Sequence, residues 1–171
     1  MTRHYLMLAA AGALAVSVQA QTTSPLIAEA KQMYTGVKNN LTRMVEKMPE
    51  EHYAFQPVKE IRTFGQLVAH VADSQTRSCS AVKGTPREAT AASKTSKADL
   101  VAAIKESFAD CDAAFESLTD ASAVEVIAAG RGKRSRLGAL MGTTSHSNEE
   151  YGYMAVYLRL KGIVPPSSEG R

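Results

Sequence analysis

Three residues of this chain could hold one metal ion between them. His146 and Glu150 stand four apart in the stretch Ser145 to Pro166, which reads S-H-S-N-E-E-Y-G-Y-M-A-V-Y-L-R-L-K-G-I-V-P-P. On a helix of 3.6 residues per turn that spacing stacks both side chains on one face, as two ligands of one ion require. A third ligand must come from elsewhere. His70, in T-F-G-Q-L-V-A-H-V-A-D-S-Q, is the other histidine inside a strongly helical pattern. Imidazole nitrogen and carboxylate oxygen together suit zinc, nickel, manganese or iron(II), and three protein ligands leave positions open for water and substrate. The same spacing also has an ordinary reading, with two hydrogen-bonded histidines and a solvated or ion-paired Glu150. Glu149, the adjacent carboxylate, points about 100° away on the helix. Asp73, one turn beyond His70, could orient a ligand or take a proton. Tyr153 and Tyr157 follow Glu150 at one and two turns, and each also fits an ordinary half-buried position.

The elements that must position these residues are helical. Helix 1 is expected over about Pro25 to Lys47, with Ser24 as cap and Pro25 at the first helical position. Its expected buried stripe is Leu26, Ala30, Met33, Val37, Leu41, Met44 and Met48. Met48-Pro49 ends it. Tyr53, Phe55 and Ile61 of the following connector should plug one end of a bundle. Helix 2 opens with Thr63 and Gln66 at capping-box spacing, and Gly84 stops it. Its inner face should be Phe64, Leu67, Val68, Val71, Gln75, Ser78, Cys79 and Val82, and the small polar members leave room for a site. Residues 84–95 read as an ordered crossing or a mobile loop. Helix 3 starts at Ser96 with Asp99 three on. It runs to about Leu118 with Leu100, Ala103, Ile104, Ser107, Phe108, Cys111, Ala114, Phe115 and Leu118 inward. Residues 119–135 read as a second long connection. Helix 4 spans about Arg136 to Lys161, with Leu137, Leu140, Met141, Thr144, Tyr151, Ala155 and Leu158 inward. Gly162 and Pro165-Pro166 end it.

The stretches around His70 and His146 resemble the DinB-like helical bundles, a superfamily that includes bacillithiol- and mycothiol-dependent transferases. The resemblance implies an all-α four-helix bundle, up-down-down-up, with a divalent metal held by three histidines. One of these lies in the second helix and two lie four apart in the last. His70 and His146 match the first two positions, and Glu150 stands where the pattern has histidine. The implied chemistry is hydrolysis or transfer of a thiol to an electrophile. Glu150 lowers the charge of the site by one relative to histidine, which favours harder metals over copper or zinc.

The rest of the chain bounds these readings. Arg3 and His4 precede an apolar, uncharged run from Tyr5 to Val18, and Val18-Gln19-Ala20 fits a small-residue cleavage site. Residues 1–20 are expected to be a bacterial signal peptide. The mature domain, 21–171, would then be periplasmic or secreted, with no membrane span. Removing Arg3 leaves 19 basic against 17 acidic residues, a net charge of +2, too small to argue for nucleic acid. An exported chain with two cysteines suggests a disulfide. Cys79 and Cys111 are level if helices 2 and 3 are parallel, and far out of register if they form an antiparallel hairpin. The resemblance implies the parallel arrangement, and hence the Cys79–Cys111 pair. The basic tract Arg131 to Arg136 could bind an anion or be a solvated loop. Two functional classes follow. One is a metal-dependent hydrolase or thiol-type transferase acting on a small molecule that the sequence does not name. The other is a non-catalytic binding or envelope-maintenance bundle without the metal. A homodimer through a helix face is compatible with both.

Overall fold

The computed structural model describes residues 24–130 and 132–170. The expected signal peptide lies outside the described residues. Helix α1 spans Pro25–Lys47, α2 Phe64–Val82, α3 Lys97–Glu116, α4 Asp120–Ala123 and α5 Arg136–Leu160; strands β1 and β2 span Val126–Ala129 and Gly132–Ser135. Among these helices none is long and apolar enough to cross a membrane.

Contacts along the helices fix their directions. Gly65 of α2 lies against Leu100 near the start of α3. Gln75 bonds Ser107, and Cys79 faces Cys111. The pairs advance together, so α2 and α3 are parallel. Tyr34 and Glu46 of α1 meet Asp112 and Lys105 of α3, in reverse order, so α1 is antiparallel to α3. Ser78 meets Thr143 and Gln75 meets Ser147, so α5 is antiparallel to α2. The result is the up-down-down-up bundle that the resemblance implied. Helix α1 packs against α3 and α5, and α2 packs against the same two, which sets the ring order α1–α3–α2–α5. Cys79 and Cys111 stand at disulfide distance, with Cα atoms 4.9 Å apart.

Local chemistry sets the helix ends. Thr63 and Gln66 form both halves of a capping box. The Ser96 hydroxyl accepts the Asp99 amide at the start of α3. Gly84 and Gly162, with φ of 77° and 72°, end α2 and α5 in the left-handed conformation that glycine adopts without a Cβ clash. Ser24 holds the cap position of α1 through its carbonyl rather than its hydroxyl, accepting the Ala28 amide at 3.0 Å.

Helix α1 departs from its expected stripe. Leu26 and Met33 are 68 % and 65 % exposed, and Ile27 and Tyr34 are buried in their place. Both pairs put two bulky residues side by side, and Tyr34 decides the rotation. Its ring packs on Phe108 and Phe115, and its hydroxyl reaches Asp112 Oδ1 at 2.8 Å and the Phe108 carbonyl at 3.0 Å. The inner faces of α2 and α3 follow expectation, with Ser78 and Ala103 only half-buried. In α5, Met141 is exposed, and Ser147, Met154 and Tyr157 are buried instead. Ile61 is exposed too, whereas Tyr53 and Phe55 cover the bundle end as expected.

Residues 119–135 are more than a connection. Thr119 and Ser122 cap the single turn of α4. Then β1 and β2 pair as an antiparallel hairpin with Ile127 opposite Arg134. Gly130, at φ 60°, turns it. Ile127 and Ala129 alternate inward onto the bundle, a period of two spread over only four residues. The basic tract therefore belongs largely to a strand, not to a loose loop.

Candidate metal centre

His70 lies midway along α2, and His146 and Glu150 lie midway along α5. The antiparallel packing of these two helices brings all three together. Spacing of four puts His146 and Glu150 on the same α5 face, turned toward α2. His70 Nε2 stands 3.1 Å from His146 Nε2 and 3.5 Å from Glu150 Oε1, and His146 Nε2 stands 3.6 Å from the same oxygen. Two donors each about 2.1 Å from one ion lie about 3.0 Å apart at a right angle and about 3.4 Å apart at the tetrahedral angle. The three separations fall close to that span.

The two histidines are half-buried, and Glu150 is 5 % exposed. Among the described residues no Lys or Arg comes within 4.0 Å of Glu150, whose ion-pair partners are the two imidazoles alone. Its Oε2 is buried without a hydrogen-bond partner, as is His146 Nδ1. Burial pushes the Glu150 carboxyl above its ordinary range, against the pull of His146 and Arg62. Burial, helped by the charge of Arg62, holds His70 below its ordinary value. A dication among these three atoms would relieve the buried carboxylate. The donor set therefore fits a divalent metal, and it is the one group of three such ligands among the described residues.

The other sequence candidates fall outside this cluster. Asp73 turns away from it. Its two oxygens accept the backbone N–H groups of Ala91 and Ala92, at 2.7 and 3.1 Å, and so anchor the crossing between α2 and α3. That crossing is ordered, with a 3-10 turn at Ala91–Ser93. Tyr153 is exposed and donates to Glu149 Oε1 at 2.7 Å. Tyr157 is buried and donates to the Arg62 carbonyl at 2.6 Å. Gln75, expected to leave room for a site, instead links Ser107 of α3 to Ser147 of α5. A cleft of about 790 Å³ opens beside Glu150, lined by Ile61, Leu67, Val156 and the rings of Tyr153 and Tyr157, with Arg62 and Glu60 at its polar edge. Arg62 was not singled out by the sequence, because it precedes α2 in a segment without periodicity, and Ile61, expected as an end plug, lines this cleft instead.

The chain is thus a helical bundle with a mid-helix His/His/Glu group that fits a divalent ion. Residues 33–154 match the family model of the DinB superfamily, and the chain belongs to that family. A DinB-like protein from Bacillus cereus ATCC 10987 has a similar fold, with TM-score 0.72 and 17 % identity over 82 % of this chain and 95 % of that one. A DinB-like protein from Bacillus subtilis gives TM-score 0.67 and 21 % identity over 84 % and 99 % of the two chains. No curated protein sequence matches significantly.

Proposed function

We propose that the protein is an exported divalent-metal-dependent hydrolase or thiol-type transferase whose ion is held by His70, His146 and Glu150. Glu150 carries this reading. A carboxylate left behind in a site without an ion is free to turn to solvent or to pair with a lysine or arginine, and among the described residues Glu150 does neither. It stays buried, aimed between two imidazoles. When bound, a divalent ion supplies Lewis acidity toward an oxygen or sulfur group of the substrate.

The chain's own residues supply the rest. His70, held low by burial, is an unprotonated nitrogen donor near neutral pH. Glu150 brings one negative charge and an oxygen, which favours manganese or iron(II) over copper. Arg62 places a positive charge within electrostatic reach of both His70 and Glu150. The apolar wall of the adjacent cleft suits a substrate with a hydrophobic part. Export would take the protein away from the cytoplasmic store of small thiols, so hydrolysis is the favoured branch. The cysteine pair at disulfide distance supports an oxidising compartment.

A second reading, a bundle that keeps the fold and binds a partner without a metal, is favoured by one observation. His146 Nδ1 is buried with no acceptor, whereas a metal-bound imidazole ordinarily donates its other N–H. Metal content by plasma mass spectrometry decides between them, on protein taken from a periplasm without chelator or His tag. Near-stoichiometric metal is expected, lost in both His70→Ala and Glu150→Ala. The same preparation is expected to begin at Gln21. Loss in His70→Ala alone would remove Glu150 from the ligand set. No metal after reconstitution with manganese, iron(II), nickel and zinc would leave the second reading.

A further inference from the structure

Two clefts flank the triad along the α2–α5 seam, Glu150 lining one and His146 the other. Gln66, His70, Ser74 and Arg77 follow one another down α2 at steps of four, four and three, while Glu150, His146 and Gly142 run the opposite way on α5. The apolar cleft lies on the Glu150 side. On the His146 side a second cleft of about 790 Å³ lies between the seam and the β1–β2 hairpin. Its lining holds Arg77, Lys133 and Arg134, the hydroxyls of Ser78 and Thr143, and no carboxylate.

The charges here are unspent. Among the described residues Arg77, Lys133 and Arg134 have no acidic partner within 4.0 Å. Nearby cations among the described residues are paired instead: Lys83 and Arg87 with Asp110, and Arg136 with Glu125. Arg134 is also aimed. It stands opposite Ile127 in the hairpin, on the strand face that packs toward the bundle. Its Nη1 lies 3.2 Å from where a Cβ on Gly142 would be, so the bare backbone of α5 gives the guanidinium its place. Two guanidiniums lining one cleft match the paired oxygens of a carboxylate or phosphate.

We propose that the hairpin cleft binds an oxyanion, carboxylate or phosphate, carried by the substrate. Gly142 precedes His146 by four residues and Arg77 follows His70 by seven, which puts the anion about 6–10 Å from the triad along the helix axes. The substrate class is therefore a small molecule with an anionic end in the hairpin cleft and its reacting bond at the triad. Only the placement of the reacting end rests on the metal reading; the anion site does not.

The test uses the purified protein after chelation, so that no metal contributes to binding. Inorganic phosphate and succinate are titrated separately at low ionic strength, and Kd is read by calorimetry. Saturable binding of at least one is expected. Arg77→Met and Arg134→Met should each weaken it about tenfold. Lys59→Met, which removes the same charge outside the cleft, should change it less than about twofold. The preferred anion identifies the substrate's end as phosphate or carboxylate. Absence of saturable binding would overturn the proposal, and so would equal losses in all three variants. Circular dichroism confirms that each variant is folded. Anion binding without metal uptake would refute the metal reading alone, and metal uptake without anion binding would refute this one alone.

Discussion

At position 150 a histidine would give one neutral nitrogen, whereas the carboxylate gives oxygen and a negative charge. Glu150→His should therefore keep metal uptake and move the preference from manganese toward zinc, which competition between the two ions measures. Unchanged preference would mean that residue 150 does not touch the ion. Asp73 makes the contrasting case. It reads in the sequence like a helper of His70, one turn away, yet its carboxylate holds the amides of Ala91 and Ala92. Asp73→Ala should lower unfolding stability in urea by about 1–3 kcal/mol, the cost of stranding part-buried amides, and leave metal content unchanged. His146 and Glu150 could be paired in the sequence because spacing of four on a helix is a geometric statement in itself, whereas His70 came from its helical pattern and from the resemblance. Asp73 was misleading because one turn along a helix places a residue near another without saying which way either points.

Among the elements, the pairing of α1 with α3 turns on Tyr34. Burial first, and then the hydrogen bond and negative charge of Asp112, push its hydroxyl well above the ordinary tyrosine value of 10.0. Above that value the unfolded chain releases a proton that the folded one keeps. The stability due to Tyr34 is therefore full below about pH 10 and falls as pH rises. Tyr34→Phe should cost about 1 kcal/mol at neutral pH and flatten the alkaline decline, as urea unfolding from about pH 8 to about pH 11 would show. An equally steep decline in the variant would place its origin elsewhere. Tyr34 also explains what the sequence hid. Periodicity cannot choose between Leu26 and Ile27, or between Met33 and Tyr34, because each pair covers adjacent arcs of one helix. The choice comes from partners on α3. The hairpin was hidden for another reason, since four-residue strands carry too few alternations to stand out from a loop.

For the molecule as a whole, the up-down-down-up order came from resemblance, and the cysteines are where sequence and topology meet. The pair Cys79 and Cys111 is separated by 32 residues. Losing that link, in a Cys79→Ala, Cys111→Ala protein, should reduce unfolding stability by about 3–4 kcal/mol on the loop-entropy account. Identical denaturation curves for the two proteins would show that the thiols do not bond in solution. The clefts beside the triad were not legible at all, because they are made by segments that meet only when the bundle closes.

The cysteine pair of α2 and its proposed metal closure onto α5 have a further consequence as polymer loops. His70 and His146 lie 76 residues apart, and the 32-residue cysteine loop falls wholly inside that interval. The closures are nested and need no threading, so either can form first. Once the inner one is shut, the chain an ion must gather shrinks to about 45 residues, which lowers the outer closure cost by about 0.5 kcal/mol. Oxidation would thus act on α2 twice, directly through α3 and at a distance through the chain length left for the metal to close.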